Sequence, residues 1–255
     1  MKNENIFRSE KIAVACIDIL GYSDFSTDQQ ESILREINDL IKKPTFFDKP
    51  HVKIFREPRL FFGDSIYLFG NESESLEGQI IFLASICNLI IYKGIFNLIN
   101  NAPNNRHPYA CRVGINVGDI RDVALDGFFG NPIIGQGIVR SHALQSCQNW
   151  IGGAVVLSEE YEGILSNSAF VQTNLTFIKN ECKCKEKILA LNWPIIFGRY
   201  WHLPDQIEEI ICLLDDHKNQ FEDEKIKIKW KNTVEFVKNQ LNSYFGSRPN
   251  SPQLC

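Results

Sequence analysis

The chain has 255 residues, of which 44% are hydrophobic, 23% charged and 11% aromatic. That suits a globular core of one large domain or two small ones, and excludes a wholly disordered, collagen-like or disulfide-scaffold chain. The net charge of −4 provides no broad positive field for a long polyanion, so no nucleic acid polymer is expected as partner.

In chain order, Lys11–Ile19 is an apolar, β-rich run that reads as a buried strand. A helix follows from Thr27, where Thr27 and Gln30 form a capping-box pattern and Ile33, Leu34, Ile37, Leu40 and Ile41 share one face. Val52–Phe61 and Ser65–Phe69 read as two strands joined through Gly63-Asp64 in a hairpin. Ile80–Ile99 reads as a buried helix opened by Ser73 or Ser75. Its polar residues, Ser85, Asn88, Lys93 and Asn97, interrupt it too often for a membrane span, which is not expected. Tyr109–Val117 and Arg121–Leu125 read as a strand pair turning at Gly118-Asp119. A helix near Gln136–Asn149 precedes a strand at Ala154–Leu157, and Leu175–Lys179 and Lys187–Asn192 supply closing strands.

Beyond Pro204 the pattern is helical. Ile226, Trp230, Val234, Val237 and Leu241 recur on one face, with Lys225, Lys227, Lys229 and Lys231 off it as a solvated charged surface. The order β-α-β-β-α-β predicts a ferredoxin-like α+β sandwich: an antiparallel sheet with helices on one face, plus a C-terminal helical extension. The domain expectation is 1–203 for the sheet domain, 204–245 for the extension and 246–255 for a disordered tail.

The eight cysteines include no CxxC; Cys16, Cys87, Cys111 and Cys212 lie in apolar runs as small hydrophobes. Met1–Asn5 lacks the basic-then-apolar pattern of a signal peptide. Reduced thiols in a cytoplasmic protein are the expectation.

Two carboxylates occupy unusual places. Asp18 ends a strongly apolar strand, and Asp64 sits at the tip of a hairpin with apolar arms. Each is costly to desolvate without a cation. In a ferredoxin-like sheet the first strand neighbours the hairpin, so both can converge on one divalent ion, Mg²⁺ or Mn²⁺, which takes hard oxygen ligands.

Three segments carry a resemblance. Ile17-Asp18-Ile19-Leu20-Gly21-Tyr22-Ser23 resembles the first metal motif of class III nucleotide cyclases, and Phe62-Gly63-Asp64-Ser65 resembles their second. Arg112-Val113-Gly114-Ile115-Asn116-Val117-Gly118 resembles a strand motif of that family, and the three stand in the family's order over roughly residues 10–195. The resemblance implies two ions, Mn²⁺ or Mg²⁺, bridged by Asp18 and Asp64, with the Ile19 carbonyl as a further ligand. One ion would activate the ribose 3′-hydroxyl for attack on the α-phosphorus, and the other would hold the triphosphate.

The chain departs from the family in three places. Four residues before Asp64, where purine cyclases carry a charged base reader, stands Leu60. Arg56 and Arg59 lie nearby, as base readers or as strand-edge charges. On the helix that carries the family's Asn/Arg pair, Val139 and Ala143 take those positions, and Arg140 lies one turn before Ala143. Arg140 is the candidate transition-state charge, a surface salt bridge being the alternative. The family's late triphosphate-holding lysine falls among Lys183, Lys185 and Lys187, of which Lys185 is the central candidate.

With its purine reader missing, the chain is similar to the pyrimidine cyclases of the Pycsar bacterial antiphage system. That resemblance implies conversion of UTP or CTP to the 3′,5′-cyclic monophosphate, a homodimer with sites between the copies, and a separate effector that senses the product. Within the family the alternative is an adenylate or guanylate cyclase with a relocated base reader. Outside it, the alternative is a catalytically silent nucleotide-binding module.

Overall fold

The computed structural model describes residues 10–42, 59–61, 64–99, 107–123, 132–146, 152–166, 175–178, 188–194 and 207–245. Arg56, Lys183, Lys185, Lys187 and the tail from Gly246 lie outside the described residues.

The sheet is organised around β1 (Glu10–Ile19), whose residues from Ile12 to Ile17 are all at most 1% exposed. A strand buried on both faces must have helices on both faces, and it does. β1 pairs antiparallel with β3 (Ser65–Phe69) on one side and with β4 (Cys111–Asp122) on the other. β2 (Arg59–Phe61) extends the sheet beyond β3, with Phe61 opposite Ser65, so the expected hairpin around Asp64 forms. On the far side β6 (Val155–Ser158) runs parallel to β4, followed by β8 (Ile188–Leu191) and β7 (Leu175–Ile178).

α1 (Thr27–Lys42) buries Ile33, Ile37 and Ile41, as its periodicity predicts. Its capping box begins one residue earlier than expected: Ser26 Oγ accepts from the Gln29 amide at 3.4 Å, and Gln29 Oε1 accepts from the Ser26 amide at 2.8 Å. Gln30 instead donates to the carbonyls of Tyr22 and Phe25, tying the helix to the loop after β1. α2 (Leu76–Ile99) is capped by Ser75, whose Oγ accepts from the Gly78 amide at 3.1 Å. By length and composition Leu76–Leu98 could cross a membrane, yet 83% of its apolar window is buried inside the fold. α1 and α2 cover the sheet face of Ala13, Ala15, Ile17, Val113 and Ile115.

The expected turn at Gly118-Asp119 is absent. β4 runs through it, with β1 in continuous register from Glu10 opposite Ile120 to Ile19 opposite Cys111. Gly118 serves close approach instead: a Cβ there would lie 2.4 Å from the backbone nitrogen of Gly137, and one at Gly114 would lie 2.3 Å from the carbonyl of Ser141. These bare positions let α3 (Gln136–Ser146) lie on the strand. The chain reverses after Asp122, where β5 (Ile133–Ile134) pairs back onto Arg121 and Asp122. α3 therefore crosses from β4 to the parallel β6 over the opposite face, that of Ile12, Val14, Cys16 and Tyr67. The α+β sandwich is as expected, with this one helix on the second face.

A short α4 (Glu162–Ser166) follows β6, and α5 (Ile207–Lys218) and α6 (Glu224–Phe245) close the chain. Ile226, Trp230, Val234, Val237 and Leu241 all point inward, into the same hydrophobic cluster as the sheet. The extension is thus fused to the core rather than appended to it. Cys16, Cys87 and Cys111 are buried free thiols, whereas Cys212 is exposed on α5 and is not the small core hydrophobe its neighbours suggest.

His217 closes α5 edge-on to Trp230 at 4.7 Å and Phe221 at 5.3 Å, and burial pushes its pKa down to about 4. Above about pH 6.5 the imidazole is neutral in both folded and unfolded chains, so it adds no pH dependence there. Between about 6.5 and 4 only the unfolded chain takes up the proton, so stability falls by roughly 1.4 kcal/mol per unit as pH drops. Denaturant titrations of His217→Phe and the parent at pH 7, 6 and 5 are expected to show a shallower decline for the variant.

Candidate active site

The register of the central strands sets the site. Asp18, near the end of β1, stands opposite Ser65 of β3 and Arg112 of β4. Period-2 alternation puts Asp18 on the α3 face of the sheet, with Val14, Cys16 and Gly114. It is only 7% exposed. Arg112 reaches across the strand pair and donates from Nε at 2.9 Å and Nη2 at 2.5 Å, both to Asp18 Oδ2. The guanidinium gives the buried carboxyl a partner of opposite sign.

Asp64 immediately precedes β3, and its carbonyl accepts from the Ile19 amide at 3.4 Å. Its carboxyl is thereby brought beside that of Asp18. Burial pushes the Asp64 pKa above its ordinary value, the Asp18 charge pushes it further, and Lys229 opposes the rise. Tyr22, in the loop after β1, is raised by burial and by the Asp64 charge. Gly21 gives this loop its bend with a left-handed φ of 76°.

The structure brings the Asp18 and Asp64 carboxyls together. Among the described residues no cluster of three or more Asp, Glu, His or Cys is arranged to hold a metal. The Asp18 and Asp64 carboxyls stand together, with the Ile19 carbonyl next to Asp18 in the chain. Two adjacent hard oxygen ligands fit a divalent cation such as Mg²⁺ or Mn²⁺, which takes one or two carboxylates and completes its shell from substrate phosphates. Cys16, on the same sheet face, is pushed up to about 12 by burial and is no nucleophile.

The remaining predicted residues lie elsewhere. Arg140 is exposed on the outer side of α3, with Val139 at 60% exposure and Ala143 also exposed. Leu60 lies on β2 opposite Ile66, and Arg59 opposite Tyr67. Leu191-Asn192-Trp193-Pro194 proves structural: Asn192 donates to Gln240 Oε1 at 2.6 Å and Trp193 Nε1 donates to the Gly153 carbonyl at 2.7 Å. A cavity of about 700 Å³ bounded by Asp24, Phe25, His107, His217, Phe221 and Asp223 lies off the carboxylates and includes no predicted site residue.

Two participants were not anticipated. Arg112 is part of a recognised strand motif, but nothing in the spacing paired it with Asp18. Lys229 was placed on a solvated face. It is instead half-buried, with its pKa lowered by burial and the Arg112 charge and raised in turn by Asp18, Asp64 and Asp223. The available signal was its position directly before Trp230, at the edge of the apolar stripe.

No protein-family profile matches the chain, and no curated protein is significantly similar to it. Solved structures are. The adenylyl cyclase CyaB from P. aeruginosa shares 16% identity at a TM-score of 0.53, covering 72% of this chain and 94% of its own. A bacterial light-regulated adenylyl cyclase shares 12% at 0.51, covering 73% and 92%. The guanylate cyclase domain of RhGC from Catenaria anguillulae, in complex with GTP, shares 16% at 0.50, covering 72% and 96%. The chain has the fold of these cyclase domains.

Arg112→Met is expected to cost about 3 kcal/mol, because it strands the Asp18 carboxylate in a nearly closed site. Asp18→Asn in the same chain is expected to recover part of that loss. A double-mutant cycle by chemical denaturation measures the coupling.

Proposed function

We propose that this chain is a metal-dependent pyrimidine nucleotide cyclase that converts UTP or CTP to the 3′,5′-cyclic monophosphate and diphosphate. The observation that carries this reading is the meeting of Asp18 and Asp64 at the β1–β3 boundary of a fold shared with adenylyl and guanylyl cyclase domains. Leu60, which lacks a charged group for reading a purine edge, is what favours a pyrimidine. The printed activities of the neighbours favour a second reading, a purine cyclase with a relocated base contact.

In the reaction the ribose 3′-oxygen forms a bond to the α-phosphorus, the bond to the β-phosphate oxygen breaks, and the hydroxyl proton is lost. The divalent ions, Mn²⁺ or Mg²⁺, would supply Lewis-acid activation of that hydroxyl and charge neutralisation of the triphosphate. Asp18, fixed by Arg112, and Asp64, fixed by its backbone contact to Ile19, would hold them with the Ile19 carbonyl. Arg140 stands exposed on α3, free to meet a phosphate on a second copy of the chain. This supports a C2 homodimer with two equivalent sites. Lys185 is retained as the candidate triphosphate lysine, and Arg56 with Leu60 as the base end of the pocket. The product would act as a cytoplasmic second messenger in bacterial antiphage defence, through a separate effector that senses the cyclic nucleotide.

The test is incubation of the purified protein with each of the four nucleoside triphosphates and Mn²⁺, with products read by mass spectrometry. Cyclic UMP or cyclic CMP is expected. A cyclic purine as main product overturns the pyrimidine assignment, and no product from any substrate overturns the activity. Asp64→Ala is expected to lower turnover at least ~100-fold.

A further inference from the structure

The charge around the carboxylate pair does not end with Arg112. α6 is pinned on both sides of the site. On one side Phe221 and Ile226 close on Gly21, three residues beyond Asp18; a Cβ on Gly21 would come within 2.9 Å of the Phe221 ring and 3.1 Å of Ile226. On the other side the Lys229 carbonyl lies over Gly152, where a Cβ would approach to 2.0 Å. That carbonyl accepts the Thr233 hydroxyl at 2.9 Å, and Thr233 Oγ1 accepts the Gly153 amide at 2.7 Å. Gly153 in turn packs against Ala110 and Cys111, next to Arg112. Lys229 therefore leaves a docked helix between the end of β1 and the start of β4, half-buried, where the charges of Arg112, Asp18, Asp64 and Asp223 act on it.

We propose that Lys229 is a built-in counter-ion of the Asp18–Asp64 pair, competing with the divalent cation for the two carboxylates. Arg112 and Lys229 bring two positive side chains to the two carboxyls, so an incoming cation meets positive charge already in place. It must push the Lys229 ammonium aside or tolerate it at close range. Lysine suits this role, since a flexible four-carbon stem lets the ammonium withdraw, whereas the Arg112 fork is fixed by its bonds to Asp18. The inference rests on the reading that the carboxylate pair binds a divalent cation.

The experiment is titration calorimetry of Mn²⁺ into the full chain without nucleotide. Lys229→Met is expected to tighten Mn²⁺ binding at least ~10-fold, because one positive charge beside the cation is removed. Lys229→Arg is expected to bind Mn²⁺ no more tightly than the parent. Unchanged or weaker affinity in a folded Lys229→Met protein overturns the proposal; Lys229→Gln replaces it if the methionine variant fails to fold. Asp64→Asn separates the two levels. If it binds Mn²⁺ as tightly as the parent, the cation reading of the pair falls with everything built on it. If it loses Mn²⁺ while Lys229→Met is unchanged, only the counter-ion proposal falls.

Discussion

The attraction between Arg112 and Asp18 is the constraint on which the rest of the site depends. A carboxyl at 7% exposure is costly to bury without a partner of opposite sign, and the guanidinium gives it two donors on one oxygen. This pairing needs Asp18 and Arg112 directly opposite in the β1–β4 ladder and on one face. A slip of one residue would turn Asp18 into the α2 side of the core. The same register puts Ser65 opposite Asp18 and so delivers Asp64 to its neighbour. One cross-strand pair thus fixes the sheet alignment and the geometry of the chemistry together.

Much of the fold was legible because apolar periodicity reports burial directly. The α1 stripe and the α6 stripe both point inward as spaced, and the hairpin at Asp64 follows from turn residues between apolar arms. The misreading at Gly118-Asp119 has a definite cause: glycine signals a turn and a close helix approach equally well, and the α3 backbone is what occupies the space. The Ser26 cap was missed by one residue because Thr27 and Gln30 repeat its pattern.

Of the site, the two carboxylates were legible and their cations were not. A carboxylate in an apolar run is anomalous by itself, so Asp18 and Asp64 stand out locally. Arg112 and Lys229 reach the carboxyls through strand register and helix docking, which no local pattern encodes. Lys229 illustrates the limit: three flanking lysines at alternate positions, Lys225, Lys227 and Lys231, gave it the look of ordinary surface, and a contact to residues far away in the chain set it apart.

The docking of α6 on Gly21 and Gly152 also dictates an order of assembly. β1, β3 and β4, which bring the carboxylates and Arg112 together, are synthesised well before α6, and chains fold as they emerge. Until that helix arrives, the carboxylate pair has one internal cation instead of two, and the loop at Gly21 lacks its cover. A chain in which α6 has not yet docked would therefore leave the two carboxyls in more negative and more open surroundings. Of the elements around the two carboxyls, α6 is made after β1, β3 and β4, and it brings the Lys229 charge to them.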